Sequence, residues 1–117
     1  MANKARYLMI ASMDVDEKYD AIFNEVYDQE HVPNLSKVPG VLGVTRYKRG
    51  ILTMSIGGEK KTIEIPNEPM YTAIYELESP EVLTSPAWNK AIEDGRWPTQ
   101  VRPHAKNRRH VLLKLMD

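Results

Sequence analysis

The first apolar stretch of the chain has hydrophobic residues at consecutive positions, from Tyr7 to Ala11, rather than at every second one. A strand with one face in water alternates between apolar and polar residues, whereas a strand buried on both faces does not. The pattern therefore predicts a strand from Arg6 to Ser12 with both faces covered. The stretch from Tyr71 to Leu77 also has apolar or aromatic residues at both parities, and it predicts a second strand of this kind.

A helical period follows the first predicted strand. Its apolar residues recur at three- and four-residue spacing, which is typical of an amphipathic helix, at Tyr19, Ile22, Phe23, Val26 and Tyr27. Asp14 or Asp16 can cap this helix at its start. The helix is predicted to run to about His31, because Pro33 lacks a backbone donor and disturbs the preceding turn. A loose turn then leads to Pro39-Gly40, which ends the segment.

Turn residues divide the rest of the chain. Gly57-Gly58 joins two runs of a hairpin, and Ser85-Pro86 has the order of cap and proline that opens a helix. The predicted elements are, in chain order, a strand over Val41–Lys48, a hairpin of Ile51–Ile56 and Lys61–Ile65 joined at Gly57–Lys60, a strand over Tyr71–Leu77, a helix over about Pro86–Asp94 ended by Gly95, an irregular segment over Trp97–Asn107 and a last strand over Arg109–Leu115.

The order of these elements predicts the fold class. It is β-α-β, an inserted β-hairpin, then β-α-β, and this is the split βαβ order of the α+β ferredoxin-like fold. We expect a four-stranded antiparallel sheet with two helices on one face. The sequence has no internal repeat and no linker long enough to divide it, so residues 1–117 are predicted to form one domain.

Two helices can cover only one face of a four-stranded sheet. The two strands with apolar residues at both parities would then expose hydrophobic side chains, and an uncovered apolar face marks a partner surface. We expect a homodimer in which the two sheets face each other across a two-fold axis. The alternative is a monomer in which the hairpin or the segment 96–107 folds over the open face.

Composition narrows the range of partners. The 117 residues have 16 basic and 16 acidic side chains, so the formal net charge is zero and gives no overall attraction to nucleic acid. The absence of cysteine excludes disulfides, thiolate metal sites and cysteine nucleophiles. The apolar run near the N-terminus is too short for a signal peptide or a membrane span. We expect a cytoplasmic protein with no nucleic-acid and no membrane partner.

Several motifs together resemble a known family. They are the stretch Phe23 to Leu35 with its aromatic-x-x-x-His-x-Pro helix end, the turn Val38-Pro39-Gly40-Val41, the pair Arg46-Tyr47, and the later Ala87-Trp88, Gly95-Arg96-Trp97 and Asn107-Arg108-Arg109. In this order they resemble the dimeric α/β-barrel superfamily, and most closely its EthD-like branch. The likeness covers most of the chain, and the hairpin at 51–65 is its least familiar part.

The resemblance implies the fold and the homodimer, and it implies a class of function. The superfamily includes monooxygenases, haem-degrading enzymes, lactone isomerases and polyketide cyclases, and many members hold a small apolar ligand between sheet and helices. It implies that this chain binds a small apolar or aromatic compound, as a cofactor-independent enzyme of organic-compound breakdown. The alternative is a non-catalytic binding or accessory protein with the same cavity, or a protein whose enclosed space is packed solid.

His31 is the candidate catalytic residue. It follows Phe23 and Tyr27 at four-residue spacing, so the three side chains share one helical stripe near the predicted helix end. A histidine there gains from the helix dipole when charged, and its ordinary pKa suits proton transfer near neutral pH. The alternative is a ring that caps the helix end.

Aromatic residues are the candidate binding groups. Tyr27 and Tyr47 can orient a carbonyl or phenolic ligand, Phe23 shares the stripe of His31, and Trp88 and Trp97 can line an aromatic cavity. The alternative for all of them is a role in core packing.

A basic run near the last strand is the one local charge bias in the sequence. It could hold a carboxylate or phosphate, but a solvated strand entry is the simpler interpretation, and it contains Arg102, His104, Lys106, Arg108, Arg109, His110 and Lys114. The three histidines of the chain have no close ligand spacing, so neither a metal site nor a cofactor is predicted.

Overall fold

The structure, a computed structural model, describes residues 5–116 of the chain. Residues 1–4 and 117, which the predicted domain includes, lie outside the described part. The strands are β1 (Tyr7–Val15), β2 (Val41–Lys48), β3 (Leu52–Ile56), β4 (Glu59–Ile63), β5 (Tyr71–Leu77) and β6 (Ala105–Lys114). The α-helices are α1 (Asp20–Val26), α2 (Val32–Ser36) and α3 (Pro86–Ile92).

Shorter helical turns connect these elements. Two of them are wide π-helical turns, at Tyr27–His31 between α1 and α2 and at Trp97–Val101 before β6. Three are 3₁₀ turns, at Glu17–Tyr19, Pro80–Thr84 and Arg102–His104.

Four strands form one antiparallel sheet in the order β2-β5-β1-β6, with the helices on one face. This is the ferredoxin-like α+β fold that the element order predicts. The bounds of β2 and β5 agree with the sequence prediction, whereas β1 continues to Val15 and β6 begins at Ala105. Both extensions carry polar residues. Beyond a bulge in the β1–β6 ladder, Asp14 of β1 lies opposite Lys106 of β6.

The prediction that the first helix ends near His31 is wrong. The helical path continues through Pro33 to Ser36 because it widens into the π-helical turn Tyr27–His31. Val32 donates its N–H five residues back to the carbonyl of Tyr27. The wider turn removes the clash that a proline makes inside an α-helix, and Pro33 occupies the first turn of α2, where its missing donor is tolerated.

The core lies between the helices and one face of the sheet. Alternate residues of β1 and β5 point into it, among them Met9, Met13 and Tyr75. Phe23 and Leu35 from the helical segment pack against them and are fully buried. The irregular segment predicted over 97–107 is helical up to His104 and packs on this same side of the sheet.

The opposite face of the sheet is apolar and half-exposed. Its residues are in cross-strand register, as in the row Val111, Ile10 and Ile74. The segment 97–104 packs on the helix side, and the hairpin β3–β4 forms a separate two-stranded sheet with exposed residues. The alternative in which either of them covers this face within one chain is therefore wrong for the described residues.

Candidate functional site

A cavity of about 300 Å³ lies between the helical layer and the sheet. This size is at the lower end of the range of small-molecule pockets, ~300–1,000 Å³. Its wall is mostly aliphatic and aromatic with four basic side chains, and it is lined by Met9, Ala11, Met13, Tyr27, His31, Leu35, Tyr75, Leu83, Trp88, Ile92, Trp97, Arg102, Arg108 and His110. This space is where the structure places the aromatic-lined cavity that the sequence predicts.

His31 lies in the wall of this cavity, where the π-helical turn Tyr27–His31 ends. Its side chain is buried, and its ring stacks on Trp97 with the centroids 4.0 Å apart. The edge of Tyr27 packs against it at 5.1 Å. Its Nδ1 is fully enclosed and has no hydrogen-bond partner among the described residues. A buried polar atom without a partner is costly, so this nitrogen is a candidate contact for a ligand or an ordered water.

The electrostatics of His31 differ from the sequence prediction. Burial, and then the positive charges of Arg102 and Arg46, lower its pKa from 6.5 to about 4. The expected gain from a helix end is absent because the helical path continues to Ser36. His31 is therefore a neutral imidazole at neutral pH, which can accept or donate a hydrogen bond but does not carry the charge that the sequence suggested.

Two tyrosines form a buried pair beside His31. The hydroxyls of Tyr27 and Tyr75 lie 2.8 Å apart. Burial raises the pKa of both phenols, that of Tyr75 well above 10, so both are protonated. One hydroxyl donates and the other accepts, so the bond uses only one of the two hydroxyl protons, and no second acceptor occurs among the described residues. One O–H is therefore free to donate to a ligand.

Arg46 contacts the ring of Tyr27, one member of this pair. Its guanidinium lies 4.3 Å from the centre of the Tyr27 ring, and it donates to Asp28 at 2.7 Å and to Asn24 at 2.8 Å. A cation over the face of an aromatic ring is attracted to it. The contact fixes the position of Tyr27 and places a positive charge near the aromatic wall.

Both tryptophans of the chain line the cavity. Trp88 lies in the first turn of α3, where its backbone N–H donates to the side-chain hydroxyl of Ser85, the N-cap residue, at 3.2 Å. Trp97 opens the second π-helical turn, and its neighbour Arg96 is held by Glu30. Glu30 accepts the backbone N–H of Arg96 at 2.8 Å and pairs with its guanidinium. These contacts hold the two indoles in the cavity wall.

The other predicted binding residues lie away from the cavity wall. Phe23 is fully buried behind it, 5.5 Å from Tyr27 and 6.1 Å from Trp97 between ring centres. Tyr47 is opposite Thr72 on the other face of the sheet and is 55% exposed. The structure thus brings Tyr27, His31, Trp88 and Trp97 together, and it does not bring Tyr47 to them.

Sequence reasoning did not identify Tyr75, and it interpreted the basic run as solvated. Three members of that run line the cavity: Arg102, Arg108 and His110. Arg102 is paired with Glu93 and also donates to the carbonyl of Ile92 at 3.2 Å. The side chain of Arg108 has no hydrogen bond or ion pair with the other described residues, so its charge is available at the cavity.

Two further observations concern metal ions and membrane spans. Within residues 5–116, no three histidine, aspartate or glutamate side chains are close enough together to hold a metal ion. Across the same range, none of the helices has the length and apolar character needed to cross a membrane.

Comparison with known proteins adds a fold relationship. Neither a protein-family model nor a curated protein matches the sequence. Among solved structures, the chain is similar to the haem degrader MhuD from Mycobacterium tuberculosis, solved with two haems bound in its active site. The TM-score is 0.55 at 16% sequence identity, over 95% of this chain and 97% of that one. A likeness at this identity shows the ferredoxin-like fold alone.

Proposed function

We propose that this protein binds a small aromatic or apolar compound with one hydroxyl or acidic group in the cavity between its helices and its sheet. The observation that carries the proposal is the enclosed, unpartnered imidazole of His31 in a wall made otherwise of aromatic and aliphatic side chains. Pockets of this composition hold the apolar body of a ligand, and a few placed polar groups orient it.

The polar groups of the wall suggest how such a ligand is oriented. A hydroxyl can accept from the spare O–H of the Tyr27–Tyr75 pair and donate to the neutral ring of His31. A carboxylate would also be attracted by Arg102 and Arg108 at the cavity. The proposal therefore favours phenols and aromatic acids over hydrocarbons without a polar group.

A catalytic version of the proposal gives His31 a defined direction of proton transfer. Because its pKa is about 4, the ring of His31 is neutral at neutral pH and does not act as an imidazolium acid. As a base it is weak, so it would take the proton only from a ligand hydroxyl that the nearby arginines make more acidic. The charges of Arg102 and Arg46 would stabilise the anion that remains. In this form the protein is a cofactor-independent enzyme acting on an organic compound, and the alternative is a non-catalytic binding protein with the same cavity.

The fold relationship to a haem degrader raises the question whether His31 could ligate haem iron. A metal-ligating histidine almost always donates its other ring N–H to a carboxylate, carbonyl or water. Among the described residues Nδ1 of His31 has no such partner, and the cavity is small for a macrocycle. The residues present therefore do not fit a haem-ligating role.

We propose further that the protein is a homodimer of the dimeric α/β-barrel type, related to its EthD-like branch. The half-exposed apolar face of the sheet, with Ile10, Ile74 and Val111 in one row, supports this. An Ile74→Glu variant should sediment as a monomer of 13.4 kDa. A wild-type protein that is monomeric at tens of micromolar would refute the dimer.

Calorimetric titration with naphthalene, 2-naphthol and 2-naphthoic acid tests the binding proposal. We expect the two polar probes to bind more tightly than naphthalene, and His31→Ala to remove most of that difference. Tyr47→Phe, on the other face of the sheet, is the matched control and should bind as wild type. Equal affinity for all three probes would remove the orienting role of His31.

Turnover separates the enzyme from the binding protein. Once a ligand that co-purifies with the protein has been identified by mass spectrometry, its conversion can be followed. In the catalytic version, His31→Gln keeps much of the affinity but loses turnover. Unchanged turnover in this variant would exclude proton transfer by His31.

A further inference from the structure

The hairpin β3–β4 projects from the rest of the fold. Within residues 5–116 it pairs only with itself and forms a two-stranded sheet separate from the four-stranded one. Every residue of β3 is exposed, and so is β4 except at Ile63. The radius of gyration is 16.0 Å, whereas a compact domain of this length has about 13 Å. The hairpin is therefore an arm rather than part of the core.

One face of this arm is mostly apolar and also carries Lys61 and Glu59, which pair with each other at 3.8 Å. Leu52, Met54 and Ile56 alternate along β3, and Ile63 is opposite Leu52 in the ladder. We call these four residues the apolar stripe. The three stripe residues of β3 are between 43% and 52% exposed. The other face carries Thr53, Ser55, Lys60 and Thr62 and is suited to water.

The turn and the base hold the arm in a defined shape. Gly57 and Gly58 both have positive φ, 60° and 83°, as a two-residue hairpin turn requires. At the base, Asn67 accepts from Asn107 at 2.7 Å and from Arg109 at 2.8 Å. An arm with a defined turn and an anchored base loses little conformational freedom on binding.

A hairpin of this kind needs something to cover its apolar side. Isolated two-stranded hairpins are only marginally stable in water, and packing of one face is what makes them persist. Nothing among the described residues covers the apolar stripe. The accessible surface of the chain is 7976 Å², whereas monomers of this mass average about 6,500 Å². The excess is more than the ~800 Å² that each partner contributes to a standard interface.

We infer that the arm is an interaction element and that its apolar stripe packs against a second copy of this chain. In the homodimer proposed above the open sheet faces around Ile74 cover each other, so the stripe packs on a different part of the partner. A net charge of zero produces no overall repulsion between the two copies. A two-fold arrangement covers both arms at once. The inference rests on the homodimer proposed above and adds a contact that its sheet face does not include.

Two neighbouring positions on opposite faces of β3 make a matched test. Met54→Glu introduces a charge into the stripe, and because Met54 is opposite Lys61 the new carboxylate gains a cross-strand partner, so the hairpin itself is kept. Thr53→Glu introduces the same charge on the other face and gives up a hydrogen bond to Thr62 of 2.9 Å. If only hairpin stability mattered, Thr53→Glu would do the greater harm.

Sedimentation equilibrium gives the dimer dissociation constant of each variant. We expect Met54→Glu to raise it about tenfold or more, as loss of a buried apolar contact predicts, and Thr53→Glu to leave it within about twofold. If both variants match wild type while Ile74→Glu dissociates the dimer, the arm has no role and the sheet-face dimer stands. A monomeric wild type would overturn both.

A spin label provides a second readout. The chain has no cysteine, so Met54→Cys can be labelled at one position only. We expect a less mobile label in the dimer than in the same protein made monomeric by Ile74→Glu. Equal mobility in the two would overturn the inference.

Discussion

The imidazole of His31 and the indole of Trp97 stack nearly parallel, with planes 13° apart and centroids 4.0 Å apart. His31 is the last residue of one π-helical turn, and Trp97 is the first residue of the other. The stack occupies one face of each ring and leaves the edge of the imidazole, where the nitrogens are, for polar contact with a ligand. π-Helical turns are frequent at functional sites.

Acid should destabilise the protein through His31. Its pKa is about 4 in the folded chain and 6.5 in the unfolded chain, so between these values the unfolded state binds the additional proton. The free energy of unfolding therefore falls as pH is lowered from about 6.5 to about 4, by up to about 3 kcal/mol. Urea denaturation at several pH values measures this slope, and His31→Gln should remove most of it.

His110 is the control for that experiment. Its pKa is lowered too, by burial and by Arg108, so His110→Gln should remove a smaller slope of the same sign. The carboxylate of Glu30, whose pKa is lowered by its hydrogen bonds to Arg96, affects stability only as it is protonated at lower pH. A His31→Gln protein with the full wild-type slope would contradict the prediction.

Filling the cavity should abolish binding and keep the fold. Ala11 is a small side chain in the cavity wall, in the middle of β1. Ala11→Leu places apolar atoms in the space that a ligand would use, so the affinity for 2-naphthoic acid should fall at least about tenfold while the thermal midpoint stays or rises. Ile10→Leu changes the neighbouring position on the other face of the sheet and should leave the affinity unchanged.

The effects of Tyr27→Phe and Tyr75→Phe on the free energy of unfolding should not be additive. Tyr27→Phe or Tyr75→Phe alone leaves a buried hydroxyl without its partner, which costs about 1–3 kcal/mol of stability. Removal of both hydroxyls leaves none unpaired, so the double variant should lose less than the sum of the two single variants. A double-mutant cycle by urea denaturation measures the difference, and strict additivity would show that the pair is not a unit.

Substitution of Glu30 should lower the ligand affinity more than the stability of the protein. Because it holds Arg96, Glu30→Gln should loosen the turn that positions Trp97 and lower the affinity for 2-naphthoic acid several-fold. The loss of a partly exposed ion pair changes the stability of a protein little. Among residues 5–116, the carboxylate of Glu25 pairs only with the guanidinium of Arg96, at 2.8 Å, so Glu25→Gln is a matched control with a smaller effect. Hydrogen exchange over residues 95–101 reports the loosening directly.

The fold could be predicted from the sequence because its strands are short apolar runs bounded by glycine and proline, and because their order with the helical segments is that of a split βαβ fold. The path of the first helix could not. The rule that a proline ends a helix holds for an α-helix, and it fails at Pro33 because the chain widens into a π-helical turn before it. Nothing in a 3.6-residue pattern indicates that extra residue.

The site was predictable only in part, for a related reason. Tyr27 and His31 share a helical stripe, whereas the contact of His31 with Trp97 joins distant parts of the chain and depends on the fold. The pair Arg46-Tyr47 is instructive, since hydrophobicity alone would turn the tyrosine inward. Arg46 takes the inner position because Asp28 and the ring of Tyr27 provide partners for its charge there.

The π-helical turn Tyr27–His31 also has a consequence for the length of the chain. Such a turn amounts to one residue inserted into an α-helix, and each residue of an α-helix advances its faces by about 100°. Phe23 and Leu35 are twelve residues apart, so in an unbroken α-helix they would lie about 120° apart around the axis, whereas the wide turn takes up the extra residue and leaves both in the core. Deleting the exposed Asp28 would give an eleven-residue spacing, which an unbroken α-helix places on one face, but Pro33 would then lie inside that helix. The wide turn and the twelve-residue spacing therefore belong together, and homologous chains that lack the turn should have one residue fewer between these two core positions.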